Sequence, residues 1–595
     1  MPAMAEQTAP RDIFPQAMAS ADAGDVQGAI KKTNELTETG KIYGLKTYPI
    51  YAEAVASLAS AAARDGKAKV AEWAAKAAEQ LDPTSAGVAF AAADRAADRG
   101  EWGHALPAVA RGYLKTFSTY RSRVLARSDL DVVLCMAIGL IGIALAITLF
   151  FRHGRSASHD FREIIGARVH GGSVTILAIA VLFLPVFLWL GPVWLAFYWF
   201  AIFFGYANAS ERSLIVITSL ALAIAPLALD RVATTIANVN SPVVVAAAAN
   251  SEQSYQPDAL RSLQELAAQV PDDATIQLLL GNLQLHEGND RLAGVHYRRS
   301  AELKDSAGAH VNLGNLHFAN NDFAAAITEY EKAQKLDPKL AIAFYNNSVA
   351  SGETYKFDEQ GQKLDQAKKI DSAAIERLSQ SQGPLKVATY NPPIREAWQV
   401  ATSISRRGTA RSLFGNYAFF DPLTSALNPI TIGGLLSLAL AMVIWLISRR
   451  NGFAGACIKC GRTFCYRCKS SSESATYCTQ CIHIYLKRDG VSLQTKRQKL
   501  DEVHGYQSAL LRRNRILATF MPGSAQILEG NAVAGYLAML LFLFFVSFAI
   551  LIGRLAPVLA DGHAARLIAR IVSIVIAVII WCVFTVPVYR RKVAV

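Results

Sequence analysis

The chain has 595 residues, which is too long for a single hydrophobic core, so several domains are expected. Its 60 basic residues outnumber its 47 acidic ones and give a net charge of +13. Many of the arginines flank apolar runs, where positive charge is typical of membrane orientation, so nucleic-acid binding is not expected. The chain does not open on a basic segment followed by an apolar one, and no cleavable signal peptide is predicted.

Residues 1–128 carry a weak repeat of small residues. Leu58-Ala59 and Gly66 recur 34 positions later as Ala92-Ala93 and Gly100. Because this offset is that of a repeated helical hairpin, we predict a degenerate helical-repeat domain. An alanine-rich bundle without stacked repeats is the alternative.

Seven apolar runs approach the roughly 20 residues that a helix needs to cross a bilayer. They predict a four-span membrane region at 129–230, a transmembrane helix at 430–448 and a two-span hairpin at 531–595. None of them contains an ionisable Asp, Glu, Lys, Arg or His, although a transporter of ions or polar solutes usually places such groups inside its spans. The runs are 132–151, 173–190, 193–209, 213–229, 430–447, 533–552 and 571–589.

Basic residues near the ends of these runs suggest a topology. If all seven runs span, ten basic residues share one side and seven share the other, and the positive-inside rule places the larger set in the cytoplasm. The segment between the fourth and fifth runs is then extracytoplasmic, and the segment after the fifth run is cytoplasmic. The second and third runs are separated only by Gly191-Pro192, and the N-terminal domain is expected to change side if they form one span or a re-entrant hairpin. The larger set is Arg152, Arg155, Arg162, Arg168, Arg212, Arg449, Arg450, Arg590, Arg591 and Lys592, and the smaller is Arg121, Arg123, Arg127, Arg231, Arg554, Arg566 and Arg570.

A clearer repeat covers residues 257–373, within a predicted domain at 231–429. Glycine and alanine let two helices approach closely, while leucine, phenylalanine and tyrosine fill the seam between them. In the segment 307–340 such positions hold Leu313-Gly314, Ala326, Tyr330 and Ala333, and Asp337-Pro338 close the segment. With these residues the segment resembles the tetratricopeptide repeat, whose 34-residue unit is a pair of antiparallel helices. The resemblance implies a stacked solenoid whose concave face binds a peptide or a partner helix.

Four asparagines are expected to face this groove. Asn282 and Asn315 occupy equivalent positions one repeat apart, and so do Asn312 and Asn346. An amide both donates and accepts hydrogen bonds, so a ladder of amides suits the backbone of an extended ligand. We therefore predict protein or peptide partners here, with packing inside the repeat as the alternative.

Six of the eight cysteines lie within 25 residues as three Cys-x-x-Cys pairs. A two-residue spacer lets both thiolates of a pair reach one ion, and two pairs complete a tetrahedral zinc site. One Zn²⁺ is predicted, with a closed structural site rather than a catalytic one. The preferred ligands are Cys457, Cys460, Cys478 and Cys481, and the rival pairing joins Cys465 and Cys468 to Cys478 and Cys481.

A second Zn²⁺ is expected only if further ligands, with His483 the nearest candidate, complete a site with Cys465 and Cys468. The segment resembles the B-box-like zinc fingers of some bacterial membrane proteins, which hold two interleaved zincs with eight ligands. This chain lacks their leading Cys-x-x-His pair. The zinc finger and a basic helical stretch make up a predicted domain at 449–530.

The Met521-Pro522-Gly523 segment before the last two runs resembles the two-span TM2-type membrane module. The predicted fold is mainly α, with tetratricopeptide-type solenoids, about seven transmembrane helices and a small zinc finger. The whole arrangement resembles bacterial tetratricopeptide-repeat proteins of the inner membrane.

The predicted function is that of a membrane-anchored scaffold. Its repeats would recruit protein or peptide partners, its spans would contact lipid, and its zinc finger would lie on the opposite membrane face. No Gly-x-Ser-x-Gly, His-Glu-x-x-His or Walker motif occurs, so no catalytic residue is predicted. The alternatives are a transporter or channel, and a membrane-bound sensor or enzyme that uses the zinc domain.

Overall fold

The computed structural model of the chain is mainly α-helical, as predicted. It describes residues 9–166, 173–380, 386–405, 429–465, 476–487, 492–554 and 562–592. The chain divides into two compact units. The repeat unit consists of Met1–Ser128, Thr234–Leu413 and Ala556–Arg566, and the apolar unit consists of Asp129–Ala233, Phe414–Leu555 and Leu567–Val595.

Helices of the repeat unit pair into successive hairpins. The tight turn of each hairpin holds one residue with a positive φ of 60° to 78°, at Gly24, Gly66, Gly100, Gly288, Asn321 and Tyr355. Glycine favours this left-handed conformation, and its recurrence extends the hairpin pattern into residues 1–128. The helices are Pro10–Asp22, Val26–Ile42, Pro49–Arg64, Ala68–Leu81, Ala86–Asp98, Trp102–Lys115, Pro242–Glu252, Pro257–Gln269, Ala274–His286, Asp290–Leu303, Ala307–Ala319, Phe323–Leu336, Ala341–Glu353, Phe357–Gln380 (kinked at Asp371) and Ile394–Ser405.

Two central hairpins are each closed by a tyrosine that packs on a glycine. Tyr297 and Tyr330 are fully buried. A Cβ added at Gly281 would lie 2.3 Å from the Tyr297 ring, and one at Gly314 would lie 2.5 Å from the Tyr330 ring. Glycine is therefore required at both crossings, which confirms the helix pairing expected from the sequence.

The N-terminal hairpins fold together with the central ones. Thr47 forms a backbone bridge with Ser254, and the Tyr255 N–H donates to the Thr47 carbonyl at 2.8 Å. The Tyr255 ring lies 5.9 Å from that of Tyr48, while its hydroxyl donates to Glu287 at 3.2 Å. The chain portions before residue 128 and after residue 234 thus share one core.

The third portion of the repeat unit is tied to the same core. Asp94 accepts backbone hydrogen bonds from His563 and Ala564, at 3.2 and 2.8 Å. The Tyr113 hydroxyl donates to the Ala565 carbonyl at 3.3 Å. Three separate stretches of sequence therefore build this unit.

Among the described residues, five helices are long and apolar enough to cross a membrane. The second and third apolar runs form shorter helices, Ser173–Leu182, Leu184–Phe187 and Pro192–Phe204. Tyr198 and Trp199 donate to the Val181 and Leu182 carbonyls, at 2.7 and 2.8 Å, so the short helices pack as a hairpin. The long helices are Tyr120–Ile164, Ala209–Val239, Pro429–Arg450, Ala532–Leu551 and His563–Arg590.

A polar cluster joins helices of the apolar unit at the end of the first apolar run. Glu211 is buried and pairs with Arg152 at 2.8 Å and with His153 at 3.0 Å. Arg152 also donates to the Ile527 and Leu528 carbonyls, at 2.7 Å each. The charged groups of the cluster pair with one another, which fits a structural role.

The remaining described elements of the apolar unit carry the cysteines and the segment behind them. A two-stranded antiparallel sheet pairs Gly455–Ala456 with Thr463–Phe464. The helical elements are Thr479–Cys481, the π-helix Ile482–Lys487, Leu493–Phe520 and Ser524–Leu528.

Candidate partner groove and metal centre

The four predicted groove asparagines are buried and all contact one extended segment of the same chain. This resident segment, residues 386–391, follows the last central hairpin and has neither helix nor strand structure. The exposed fractions of Asn282, Asn312, Asn315 and Asn346 are 1%, 1%, 8% and 0%. Their amides bond to the backbone of the resident segment.

The contacts form two equivalent rungs. In the first, the Tyr390 carbonyl accepts from Nδ2 of Asn282 and of Asn312 at 3.0 Å each, and the Tyr390 N–H donates to Oδ1 of Asn312 at 2.7 Å. In the second, the Ala388 carbonyl accepts from Nδ2 of Asn315 at 2.9 Å and of Asn346 at 2.8 Å. The Ala388 N–H donates to Oδ1 of Asn346 at 2.9 Å.

The two rungs contact alternate residues, as expected for an extended chain whose successive residues point to opposite sides. Rungs that are one helical repeat apart therefore bond to residues two positions apart along the extended backbone. We refer to the four asparagines as the amide ladder.

Tyrosines of the repeats hold the ladder in place. The Tyr297 hydroxyl donates to Oδ1 of Asn282, and the Tyr330 hydroxyl donates to Oδ1 of Asn315, at 2.8 Å each. Asn312 and Asn346 also donate to Asn282 and Asn315, respectively, at 2.8 Å. With both oxygens occupied, the Nδ2 groups of Asn282 and Asn315 point to the resident segment. This orientation depends on residues that also close the helix crossings.

Two side chains of the resident segment anchor it. Val387 is buried against Phe318, Tyr330 and Ala350. Tyr390 packs on Gly308, where an added Cβ would lie 2.2 Å from its ring. Burial raises the pKa of Tyr390 to about 12, so it stays neutral.

An open cavity adjoins the start of the resident segment within the repeat unit. Its volume is about 1050 Å³. Lys386 lines the cavity and pairs with Glu353. Apolar lining comes from Tyr345, Val349 and Phe357, and the Phe357 side chain is 65% exposed.

The resident segment was not predicted from the sequence. The asparagines were predicted, but the contact with residues of the same chain was not. A signal was present in Val387 and Tyr390, which favour extended backbone, and in Pro392-Pro393, which disfavours helix in the residue before it. Binding of a separate partner by the four asparagines stays a prediction.

The structure brings Cys457, Cys460, Cys478 and Cys481 together. All four are buried, and their sulfur atoms lie within 4.8 Å of one another. The Sγ atoms of Cys460 and Cys478 are 3.7 Å apart, close to the edge of about 3.8 Å that a sulfur tetrahedron has when its metal–sulfur bonds are 2.3 Å. The four residues are those of the preferred pairing, and the group can hold one metal ion.

Local backbone geometry shapes the cluster. The Cys457 N–H donates to the Arg462 carbonyl at 2.9 Å, and the Gly461 N–H donates to the Cys457 carbonyl at 2.8 Å. Gly461 has a φ of +68°, and an added Cβ would lie 2.0 Å from the Tyr506 ring. The first Cys-x-x-Cys turn thus requires glycine and packs on the Leu493–Phe520 helix.

The electrostatics of the sulfur cluster favour a cation. Burial acts to raise the pKa of Cys457, but backbone N–H groups of Cys460, Cys478 and Lys459 oppose it and hold the pKa at about 7. Burial raises the pKa of Cys481 strongly, and the neighbouring Cys457 thiolate adds to the effect. Four buried thiolates repel one another, so their joint ionisation needs a positive ion between them.

Lys499 and Gln507 support the cluster from the Leu493–Phe520 helix. Gln507 donates to the Ile458 and Lys459 carbonyls, at 3.1 and 3.0 Å. Lys499 is buried and pairs with Glu502 at 2.8 Å. Hydrogen bonding to Glu502 and to Cys460 outweighs burial and raises the pKa of Lys499, which stays charged beside the sulfurs.

The other predicted metal residues are not part of this group. Cys465 is buried and His483 lies in the π-helix, but neither belongs to the four-sulfur cluster. Cys468 lies outside the described residues. The second zinc, and the rival pairing through Cys468, therefore stay predictions.

Comparison with known proteins identifies one repeat directly. Residues 307–340 match the family model of the tetratricopeptide repeat. This match supports a protein-interaction role for the segment. No curated protein matches the chain.

Among solved structures, the crystal structure of the yeast Tom70 matches at 12% sequence identity, with a TM-score of 0.18. The alignment covers 98% of this chain and 99% of that one.

Proposed function

We propose that the protein is a membrane-anchored scaffold that recruits protein partners through its tetratricopeptide repeats. The observation that carries the proposal is the amide ladder. It bonds to N–H and carbonyl groups at alternate residues of an extended segment, which is the chemistry of peptide recognition by a groove. No catalytic role is proposed for any residue.

Membrane anchoring is supported by the long apolar helices of the apolar unit. On His563–Arg590, large apolar side chains such as Ile571, Val575 and Ile579 are 50–55% exposed. In water so large an apolar surface would be unfavourable, whereas in lipid it is satisfied. We place the protein in a bacterial inner membrane with lipid around these helices.

The proposed topology puts the repeat unit outside the cytoplasm and the cysteine cluster inside. The repeat unit folds from three stretches, so each pair must be separated by an even number of crossings. Two long apolar helices lie between the first and second stretches, and two lie between the second and third. The helices at 173–204 then add zero crossings, as a re-entrant hairpin, or two crossings, as two spans. In both cases the N-terminal domain stays on the same side of the membrane as the rest of the repeat unit. Only a single span at 173–204 would place it on the opposite side.

Reporter fusions test this topology. Fusions at residue 379 and at residue 490 should report opposite sides of the membrane. Cytoplasmic signals from both would contradict the arrangement.

We propose that the four-cysteine cluster binds one Zn²⁺ and staples the small finger that contains it. Soft thiolates select Zn²⁺, Cu⁺ or iron–sulfur clusters, and a four-thiolate zinc site is closed and structural. Metal analysis of the purified full-length protein should find one zinc per molecule. The double variant Cys457→Ser with Cys478→Ser should lose it, while Cys582→Ser, an exposed thiol on another helix, should retain it. Zinc retained by the double variant would exclude this site.

Partner recruitment is tested by capture of the tagged full-length protein from crosslinked membranes. Gly308→Leu fills the position beside Tyr390, whereas Gly361→Leu places the same side chain at a helix position with open space around it. Polypeptides recovered with the wild type and with Gly361→Leu should be lost with Gly308→Leu. Equal recovery from all three would show that the groove does not recruit them.

A further inference from the structure

We propose that the resident segment, residues 386–391, is a built-in competitor, and that a partner binds the amide ladder by replacing it. The proposal rests on the scaffold function and specifies its ligand and its regulation. The expected partner segment is extended and carries a basic residue, an apolar residue next to it and an aromatic residue three positions further on.

The backbone contacts explain why replacement is feasible. Both rungs bond to the N–H and carbonyl of the residue they hold, at Ala388 and at Tyr390. Such contacts are independent of side-chain identity, so another extended chain satisfies them equally well. The ladder therefore supplies affinity for extended backbone, and selectivity must come from side chains.

Four side-chain contacts define that selectivity. The pocket of Phe318, Tyr330 and Ala350 takes the apolar Val387. The open face of Gly308 takes the aromatic Tyr390. Nδ2 of Asn282 donates to Oδ1 of Asn391 at 2.9 Å. Glu353 pairs with Lys386 and would lose this partner when the segment leaves. A replacing chain restores all four contacts if it carries the same pattern and an amide after the aromatic residue.

The adjoining cavity gives an incoming chain a first contact. It opens beside Lys386, at the end of the resident segment, and presents the exposed ring of Phe357. A partner held there by apolar contact can exchange with the segment one rung at a time. Because the resident segment is covalently attached, its effective concentration at the ladder is on the order of millimolar for a short tether, and only a segment with the full pattern displaces it.

A synthetic peptide tests the proposal on the full-length protein in detergent. The probe is a fluorescent peptide with the sequence of residues 386–392, Lys-Val-Ala-Thr-Tyr-Asn-Pro. In the double variant Val387→Ser with Tyr390→Ser the resident segment is weakened, and the peptide should bind at least about ten-fold more tightly than to the wild type. The matched control Thr389→Ala, whose side chain takes no part in the rungs or anchors, should behave as the wild type.

Two modified peptides separate backbone from side-chain recognition. N-methylation of the alanine and tyrosine amides removes both donors to the ladder and should abolish binding. Serine in place of the valine and tyrosine should do the same. Equal binding of either modified peptide would contradict the proposal.

Hydrogen exchange in the wild type provides a readout that does not depend on the stability of a variant. Excess peptide should raise the exchange rates of the Ala388 and Tyr390 amides at least ten-fold. Unchanged rates, or a double variant that stays folded without tighter peptide binding, would overturn the proposal. The proposal would also be overturned if the double variant formed dimers in which the resident segment of each chain occupies the amide ladder of the other. If partners are still captured in either case, the scaffold function stands and only the built-in competitor is excluded.

Discussion

At the residue scale, Asn346 links the repeat fold to the groove. Its amide makes three hydrogen bonds, to Asn315 and to both backbone groups of Ala388. The residue is fully buried, so truncation removes these bonds and leaves the Ala388 N–H without this acceptor. The sequence predicted only that this amide faces the groove, whereas in the structure it is buried beneath the resident segment.

Asn346→Ala should lower the free energy of unfolding of the repeat unit by about 1–3 kcal/mol, the cost of an unsatisfied buried group. Asn34→Ala is the matched control, because Asn34 is an exposed amide with a surface hydrogen bond to Gln80. Its effect should stay within about 0.5 kcal/mol. Denaturant melts followed by helical circular dichroism would measure both. Equal effects would mean that the ladder contributes nothing to stability.

His286 makes the repeat unit sensitive to acid. Its Nδ1 atom is buried without a hydrogen-bond partner among the described residues, and burial lowers its pKa from 6.5 to about 4. The unfolded chain therefore binds a proton here below pH 6.5, and the folded chain does so only near pH 4. Stability falls as the pH drops through this window, because the unfolded state binds more protons.

His286→Gln should remove part of this acid sensitivity. Between pH 6.5 and 4 the wild type should lose about 1–2 kcal/mol more than the variant, since each unit of pKa shift corresponds to about 1.4 kcal/mol before the discount for partial exposure. His104→Gln, at an exposed histidine, is the control. Parallel stability curves for His286→Gln and the wild type would contradict the assignment.

At the element scale, glycine at the crossing of the two helices decides how each hairpin packs. Gly314→Ala places a Cβ 2.5 Å from the Tyr330 ring, and this ring also holds the ladder through Asn315. Overpacking of this kind costs about 1–3 kcal/mol. Gly361→Ala adds the same methyl group to a helix position with open space and should instead stabilise by up to about 1 kcal/mol. Thermal melts of the two variants should shift in opposite directions, and a shift in the same direction would contradict this account.

The sequence predicted hairpins well where small residues recur at a fixed offset. Gly314, Ala326 and Tyr330 carry that signal, because close helix packing admits few alternatives at these positions. The seven apolar runs were similar in length and composition, and the structure separated the long apolar helices from the short ones at 173–204.

The resident segment could not be predicted in the same way. Its asparagine partners lie 42 to 109 residues away along the chain, and no periodicity marks a contact of one extended stretch with three helices. The asparagines indicated that backbone would be bound, but an amide does not distinguish its own chain from another. The cysteine group could be predicted from the residue spacing, because a Cys-x-x-Cys pair defines its geometry within four residues.

At the scale of the whole molecule, the two units have different proposed roles. The repeat unit presents a groove that binds extended backbone, and the apolar unit supplies a four-cysteine site and the helices that we propose lie in lipid. The two-crossing spacing between the three stretches of the repeat unit supports the proposed membrane topology.

The most direct measurement is site-specific photo-crosslinking in native membranes. A photoreactive residue at position 345, which lines the cavity beside the ladder, is compared with one at position 76, an exposed site on the Ala68–Leu81 helix. The account predicts a discrete adduct with another polypeptide from position 345, suppressed by the free 386–392 peptide, and no such adduct from position 76. If position 345 yields no adduct, or one that the peptide does not suppress, the repeats do not recruit a partner through this groove.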